Sequence, residues 1–188
     1  MAYLGCEELE AMGFAALGAN VKVSDKASIY EPEKITIGDF SRIDDFCVIS
    51  GRVTLGRNVH IAPFCLVAGG EPGVVMEDFA GLAYGVQVFS QSDDYSGRSL
   101  TNPTVPAAYK HETKRAVRIG RHTIIGARAI VMPGVSMAEG TAVGAGALVS
   151  KSTQEWSIYA GSPARRVKKR SSDLLGLEQQ YLANEGCL

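Results

Sequence analysis

Two adjacent carboxylates, Asp93 and Asp94, stand near the start of QSDDYSGRSLTNPTVP (91–106), a stretch otherwise rich in turn formers. A carboxylate of pKa about 4 can orient a neutral amine and accept a proton from an ammonium-like group. Taking a proton from a hydroxyl asks for a base of pKa near 7, and the residue that supplies one is histidine. Histidine occurs at three places only, His60, His111 and His122. His111 sits beside Glu112 downstream of the carboxylates and is an alternative base. Asp is also a common turn residue, so either carboxylate can instead cap the turn at Tyr95-Ser96-Gly97. Toward the C-terminus, the small residues of VGAGALVSK (143–151) precede the basic YAGSPARRVKKR (159–170). Its Arg and Lys suit phosphate groups or form a solvated face.

The elements that position these residues must come from a chain of 188 residues, the length of one ordinary domain. Hydrophobic residues make up 46% and charged residues 21%, enough for a full core. The formal charge of −1 gives no pull toward nucleic acid or anionic membrane, and neither partner is expected. The N-terminal MAYLGCEELEAMGF is acidic where a secretory leader is basic, and no stretch reaches the roughly 18 apolar residues of a membrane span. A cytoplasmic location follows, with Cys6, Cys47, Cys65 and Cys187 as free thiols. Glycine, 21 residues of 188, exceeds its usual share of roughly 7%. Many tight turns are implied.

A six-residue repeat accounts for them. An aliphatic residue recurs as Ile37, Ile43, Ile49, Leu55, Ile61 and Val67, then as Met76, Leu82 and Val88, then from Ile119 through Ile125, Val131, Met137 and Val143 to Val149. The fifth place of each hexad is small or β-branched, as at Ser41, Cys47, Ala80, Thr123 and Ala147. A helix needs apolar spacing of 3.6 and a single strand needs alternation. Period six suits a solenoid of short strands, with one residue per hexad pointing into a narrow interior and the small fifth residue at the bend. Three hexads close one triangular coil, and stacked coils lie about 4.8 Å apart as parallel sheets.

The predicted organisation is a single domain: an N-terminal helix within 1–20, the solenoid over 21–160 with an inserted loop at 90–117, and a C-terminal tail and helix over 161–188. The helix stripe at 3–17 covers one end, and Val23 and Ile29 belong to an irregular first coil. SSDLLGLEQQYLANE (171–185) begins with possible N-caps and carries a Leu/Tyr stripe. The insertion at 90–117 is long enough to be a functional loop. By hexad position, His60 and His122 both face away from the interior, and His122 is expected to be exposed.

The hexads, with VMPGV (131–135), VGAGALVSK and YAGSPARRVKKR, resemble the hexapeptide-repeat acyltransferases, which include the galactoside, maltose and virginiamycin acetyltransferases. The resemblance spans about residues 23–170, and its closing G-x-P plus basic residues is not demanded by the repeat. It implies an all-β, left-handed parallel β-helix, a homotrimer with active sites between subunits, and acetyl-CoA as donor. The loop at 91–106 is similar to that of the branch acting on surface-polysaccharide and nucleotide-linked sugars.

By this resemblance the pantetheine arm of CoA runs along Gly126, Ala127, Gly144, Ala145 and Gly146, where side chains would block its approach to the backbone. Ser150 and Lys151 match the family's hydroxyl-lysine pair, and Arg165, with Arg166, Lys168 and Arg170, matches its phosphate-binding residues. The catalytic histidine of the galactoside branch falls here on Asp93, beside Asp94. That substitution favours an amine acceptor, with Asp94 preferred over Asp93 as the carboxylate facing it. Tyr95 and His60 are candidate acceptor contacts. The expected reaction is acylation of the amino group of a nucleotide-linked amino-deoxy sugar for surface polysaccharide. The alternatives are O-acetylation of a sugar or antibiotic hydroxyl and, more remotely, a non-catalytic scaffold. A zinc site like that of the β-helical carbonic anhydrases is not expected, because His60 and His122 occupy different hexad phases.

Overall fold

In the computed structural model, which describes residues 2–184, every aliphatic residue that opens a hexad from Ile37 to Val149 is buried, with at most 5% of its surface exposed. The fifth residues are just as buried, among them Ser41, Cys47, Cys65, Ala80, Thr123, Ala129, Thr141 and Ala147. Two residues per hexad therefore fill the interior, not one. The large side chain lies at the middle of a face and the small one beside the corner, so that three of each fill a narrow triangle. Each fully buried Ile, Leu or Val contributes roughly 1.5–3 kcal/mol of gross stabilisation.

The fourth residue of the hexad makes the corner. The first corner carries Phe40, Asn58, Phe79, His122 and Gly140, and the second carries Phe46, Phe64, Gly85, Arg128 and Gly146, all with φ between +53° and +69°. Left-handed backbone is natural for Gly and Asn but costs a bulky residue roughly 1 kcal/mol or more. The corner hydrogen bonds offset part of this, as when the Phe64 N–H donates to Asp45 O at 3.1 Å.

The solenoid has about seven turns. Its faces are parallel sheets in which equivalent hexads pair directly, Arg42-Ile43 on His60-Ile61 and Ile130-Val131 on Leu148-Val149. Leu55 pairs with Met76 because extra residues at the third corner, around Gly69–Gly73, are absorbed as irregularities in the strand Leu66–Met76. Val117–Ile119 returns to the same sheet after the long insertion, pairing with Val74–Met76. The Cys47 and Cys65 thiols point inward to the carbonyls of Ala62 and Ala83, each at 3.1 Å. Cys187 lies outside the described residues.

The N-terminal helix α1 is Cys6–Ala11, far shorter than the expected span. Gly13 turns the chain at φ +73°, and Ala16-Leu17 is already a strand paired with Thr36-Ile37. Leu4, Leu9, Met12 and Phe14 nevertheless cover the core. The C-terminal helix α2, Leu174–Asn184, lies along the first corner. There Tyr181 accepts from Asn58 Nδ2 at 3.2 Å, and Glu178 pairs with Arg121 and with His122 Nε2, the latter at 3.0 Å. His122, expected to be exposed, is thus buried, its ring stacked on Phe79 at 5.2 Å. The hexad phase says that His122 points away from the prism, not what packs over it. Among the described residues no helix is long and apolar enough to cross a membrane.

Candidate active site

The inserted loop leaves the solenoid at the third corner through a small antiparallel ribbon, Gln91-Ser92 against Thr113-Lys114. Its base is held by the Arg115 N–H donating to Ser90 O at 2.9 Å, and by the buried Ser90 hydroxyl donating to Gly69 O. This anchoring turns the loop back over its own corner. Asp93, Asp94 and Tyr95 thereby meet Met132, Pro133 and Ser150 around a cleft of about 450 Å³. A smaller cavity of about 210 Å³ adjoins it, lined by Asp93, Pro103 and Glu112.

Within this loop Asp94 is the more fully hydrogen-bonded carboxylate. Its Oδ1 accepts the Ser96 N–H at 2.8 Å, and its Oδ2 accepts the hydroxyls of Ser96 at 2.8 Å and Ser99 at 3.0 Å. The Ser96 backbone bond first, then the hydroxyl bonds, hold its pKa below the ordinary carboxylate value. Asp94 is therefore an ionised hydrogen-bond acceptor across the neutral range and a weak base. Asp93 makes one long contact, from the Asn102 N–H at 3.4 Å. Tyr95 is 90% exposed at the cleft's rim. His111 is exposed on the returning limb, its N–H bound to Ser99 Oγ at 3.2 Å.

The candidate donor residues occupy a different edge. Gly126, Ala127, Gly144, Ala145 and Gly146 lie at and beside the second corner. Gly126 answers first to the fold, since a Cβ there would stand 2.5 Å from Ala145 N in the next coil. Ala145 and Gly146 are exposed, and nothing lies within 4 Å of where a Gly146 Cβ would be. Ser150 and Lys151, exposed at the third corner, stand at the carboxylate cleft or next to it. Arg165 opens the strand Arg165–Lys169, which pairs antiparallel with Ser157–Ala160. Its side chain is exposed, whereas Arg166 Nε donates to Ser157 Oγ at 2.9 Å.

Arg170 departs from the expected phosphate contact. Its Nη1 donates to the carbonyls of His122, Gly140 and Thr141 at 2.7, 3.1 and 3.4 Å, and burial lowers its pKa. It clamps the tail to the first corner beneath α2. The sequence pattern marked it as one cation in a basic run and gave no sign of the carbonyls that surround it.

His60, a candidate acceptor contact, is engaged within its own chain. Its Nε2 lies 2.8 Å from Oδ2 of the buried Asp44, which Arg42 also grips through Nε at 2.6 Å and Nη2 at 2.8 Å. Burial alone would raise the Asp44 pKa, but the bonds from Arg42 and His60 outweigh it and lower the value. The cluster was missed, although Arg42 and His60 are one coil apart in the same hexad phase. That spacing is the signal that would have stacked them.

One chain thus presents two separate features, a carboxylate cleft on the third corner and a run of small residues on the second. The family described as "Bacterial transferase hexapeptide (six repeats)" matches residues 34–69. A dTDP-4-amino-4,6-dideoxy-D-glucose acyltransferase of Escherichia coli is 40% identical over 184 residues, covering 96% of this chain and 95% of that protein. AntD, an N-acyltransferase from Bacillus cereus solved with dTDP and 3-hydroxybutyryl-CoA, superposes with a TM-score of 0.96 at 43% identity, covering 98% of both chains. A variant of AntD bound to dTDP-4-amino-4,6-dideoxyglucose and coenzyme A gives 0.96 at 44% identity, covering 97% of this chain and 98% of that one. Repeat, fold and near-full-length identity agree, and the chain belongs to the hexapeptide-repeat family of CoA-dependent acyltransferases.

Proposed function

We propose that this protein moves a short acyl group from acyl-CoA to the 4-amino group of dTDP-4-amino-4,6-dideoxyglucose. The observation that carries the reading is identity of 40–44% along nearly the whole chain to proteins that act on or bind this sugar nucleotide. The loop chemistry supports it, since a hydrogen-bonded carboxylate replaces the histidine that a hydroxyl acceptor would need.

In this mechanism Asp94 accepts a hydrogen bond from the bound amine and aims its lone pair at the thioester carbonyl. The C–N bond forms, the C–S bond breaks, and the surplus N–H proton ends on the departing thiolate, giving the amide and free CoA thiol. Proximity carries most of the acceleration, because a neutral amine is already nucleophilic. Gly126, Ala127, Gly144 and Ala145 admit the pantetheine arm, with Ser150, Lys151 and Arg165 toward its polar groups. The free thiols of Cys6, Cys47 and Cys65 fit a reducing, cytoplasmic setting.

The two half-sites meet in a homotrimer. Val48, Leu66, Ile130 and Leu148, interrupted by Gln87 between Leu66 and Ile130, form an outward and mainly apolar column, in register across the coils of the face between the second and third corners. Turning that face to a three-fold axis buries it and sets the second corner of one copy against the third corner of the next. The test is an acceptor screen by thiol release with acetyl-CoA. The reading expects dTDP-4-amino-4,6-dideoxyglucose to be turned over far faster than UDP-linked amino sugars or simple galactosides. Preference for a galactoside hydroxyl would overturn it.

A further inference from the structure

The second corner carries two side chains that its backbone does not favour. Phe46 and Phe64 adopt φ of +60° and +66°, where Gly or Asn is accommodated more easily. The strain is not repaid by burial, since the residues remain 51% and 62% exposed. Their rings stack with centroids 5.2 Å apart and planes 15° from parallel. Lys26 Nζ stands 5.8 Å from the centroid of Phe46. The ladder then stops at Gly85, the corner residue of the following coil. The methylene stem of Arg128 lies near this step, its Cγ 3.5 Å from where a Gly85 Cβ would stand, and the exposed Tyr84 precedes the glycine in the chain.

The column is thus an exposed pair of stacked rings followed by one step without a ring, with Lys26 at one end and Arg128 beyond the other. Neighbouring coils are about 4.8 Å apart, so the step beyond Phe64 has room for a flat ring that extends the stack. Lys26 is already paired with Asp45 at 3.7 Å, so Arg128 is the cation that suits a ligand joining a flat ring to negative charge, which a second copy's apolar surface would not supply. Farther along the same corner lie Ala127 and Ala145, the proposed track of the acyl donor.

We infer that Phe64, backed by Phe46, is the stacking platform for the pyrimidine base of the nucleotide-linked acceptor, with Arg128 beside it for the diphosphate. This rests on the acceptor reading given above. Acceptor and donor then share one corner end to end, the base on its aromatic half and the pantetheine on its bare half.

Calorimetric titration of dTDP and of CoA into wild type, Phe64→Gly and Phe64→Trp tests the platform, with sedimentation of each. Phe64→Gly relieves the left-handed strain, so its melting temperature should hold or rise. Its dTDP dissociation constant should nevertheless increase by roughly 5- to 100-fold, the usual range for a lost base–aromatic stack, while CoA binding changes less than about two-fold. Phe64→Trp should keep dTDP affinity. Unchanged dTDP binding in Phe64→Gly, an equal loss for CoA, or a change of oligomeric state would overturn the platform. If wild type acylates the dTDP-amino sugar and Phe64→Gly binds dTDP normally, the platform alone fails. If wild type ignores amino sugars while dTDP binding still depends on Phe64, the acceptor reading fails and the platform stands.

Discussion

Ser99 Oγ donates to Asp94 Oδ2 at 3.0 Å and accepts the N–H of His111 at 3.2 Å, so the carboxylate and the returning limb of the loop form one unit. Replacing Ser99 with Ala removes both bonds without touching the amine. Acceptor kcat/KM should fall by roughly 3- to 30-fold, from two modest hydrogen bonds, while the melting temperature and the KM for acetyl-CoA hold. A rise confined to the acyl-CoA KM would show that this loop serves the donor.

The pH profile follows from the lowered pKa of Asp94. A depressed carboxylate stays ionised above its ordinary value of about 4 and loses its charge only as the pH falls through the lower folded value. No acid limb from Asp94 is therefore expected between about pH 5 and 8, where kcat/KM should rise toward the pKa of the sugar amine. Asp94→Asn should slow turnover by roughly 10²–10³-fold with the same profile shape. A limb near pH 6.5 that disappears in His111→Ala would instead make His111 the base.

The buried Asp44 gives the same sign in stability. Its pKa is lowered by Arg42 and His60, so its contribution is present above about pH 4 and is lost as the pH drops through the folded value. Asp44→Ala should cost about 1–3 kcal/mol at pH 7, since Arg42 and His60 keep access to water after the loss. The difference from wild type should shrink in denaturant melts below pH 4. A penalty that persists there would point to lost packing instead of lost charge pairing.

The basic tail divides by geometry. Arg165→Ala should weaken CoA more than dephospho-CoA if Arg165 meets the 3′-phosphate. Arg170→Ala should leave that ratio unchanged and instead loosen α2, read as faster proteolysis after Leu174. A selective loss of CoA in Arg170→Ala would return Arg170 to the phosphate site, against its three carbonyl bonds.

The solenoid was legible because its period is enforced by the interior: Ile37 to Val149 leave no other register in which all are buried. The loop carboxylates and small residues stood out as candidates by residue type, and the structure gathers Asp93 and Asp94 with Ser150 around one cleft. What packs on the outside of the prism was not. His122 and Arg170 took their environment from α2 and from main-chain carbonyls distant in sequence, and Asp44 took its own from a partner one coil away. Outward-facing positions obey no common size rule, so hexad phase gives direction without neighbours. Even so, equal phase placed Phe46 over Phe64 and Arg42 over His60, and reading columns as well as rows would have found both pairs.

The proposed homotrimer, with its site between subunits, can be tested by complementation. Asp94→Asn disables the third-corner half-site and Ala145→Trp the second-corner half-site, each with the other half intact. Mixed trimers, formed by co-expression with two tags, contain junctions in which an intact Asp94 meets an intact donor track. Partial recovery of activity is expected in the doubly tagged fraction. Mixed trimers no more active than either parent would place both halves within one subunit.

The chemistry itself is read most directly from the product. Acetyl-CoA and dTDP-4-amino-4,6-dideoxyglucose are incubated with the enzyme, and thiol release is followed beside mass spectrometry of the nucleotide sugar. One equivalent of free thiol per sugar should appear, with one acetyl group added through a bond that resists neutral hydroxylamine, as an amide does. An acetyl group released by hydroxylamine, the mark of an ester, would contradict N-acylation, and so would turnover that leaves the amine free.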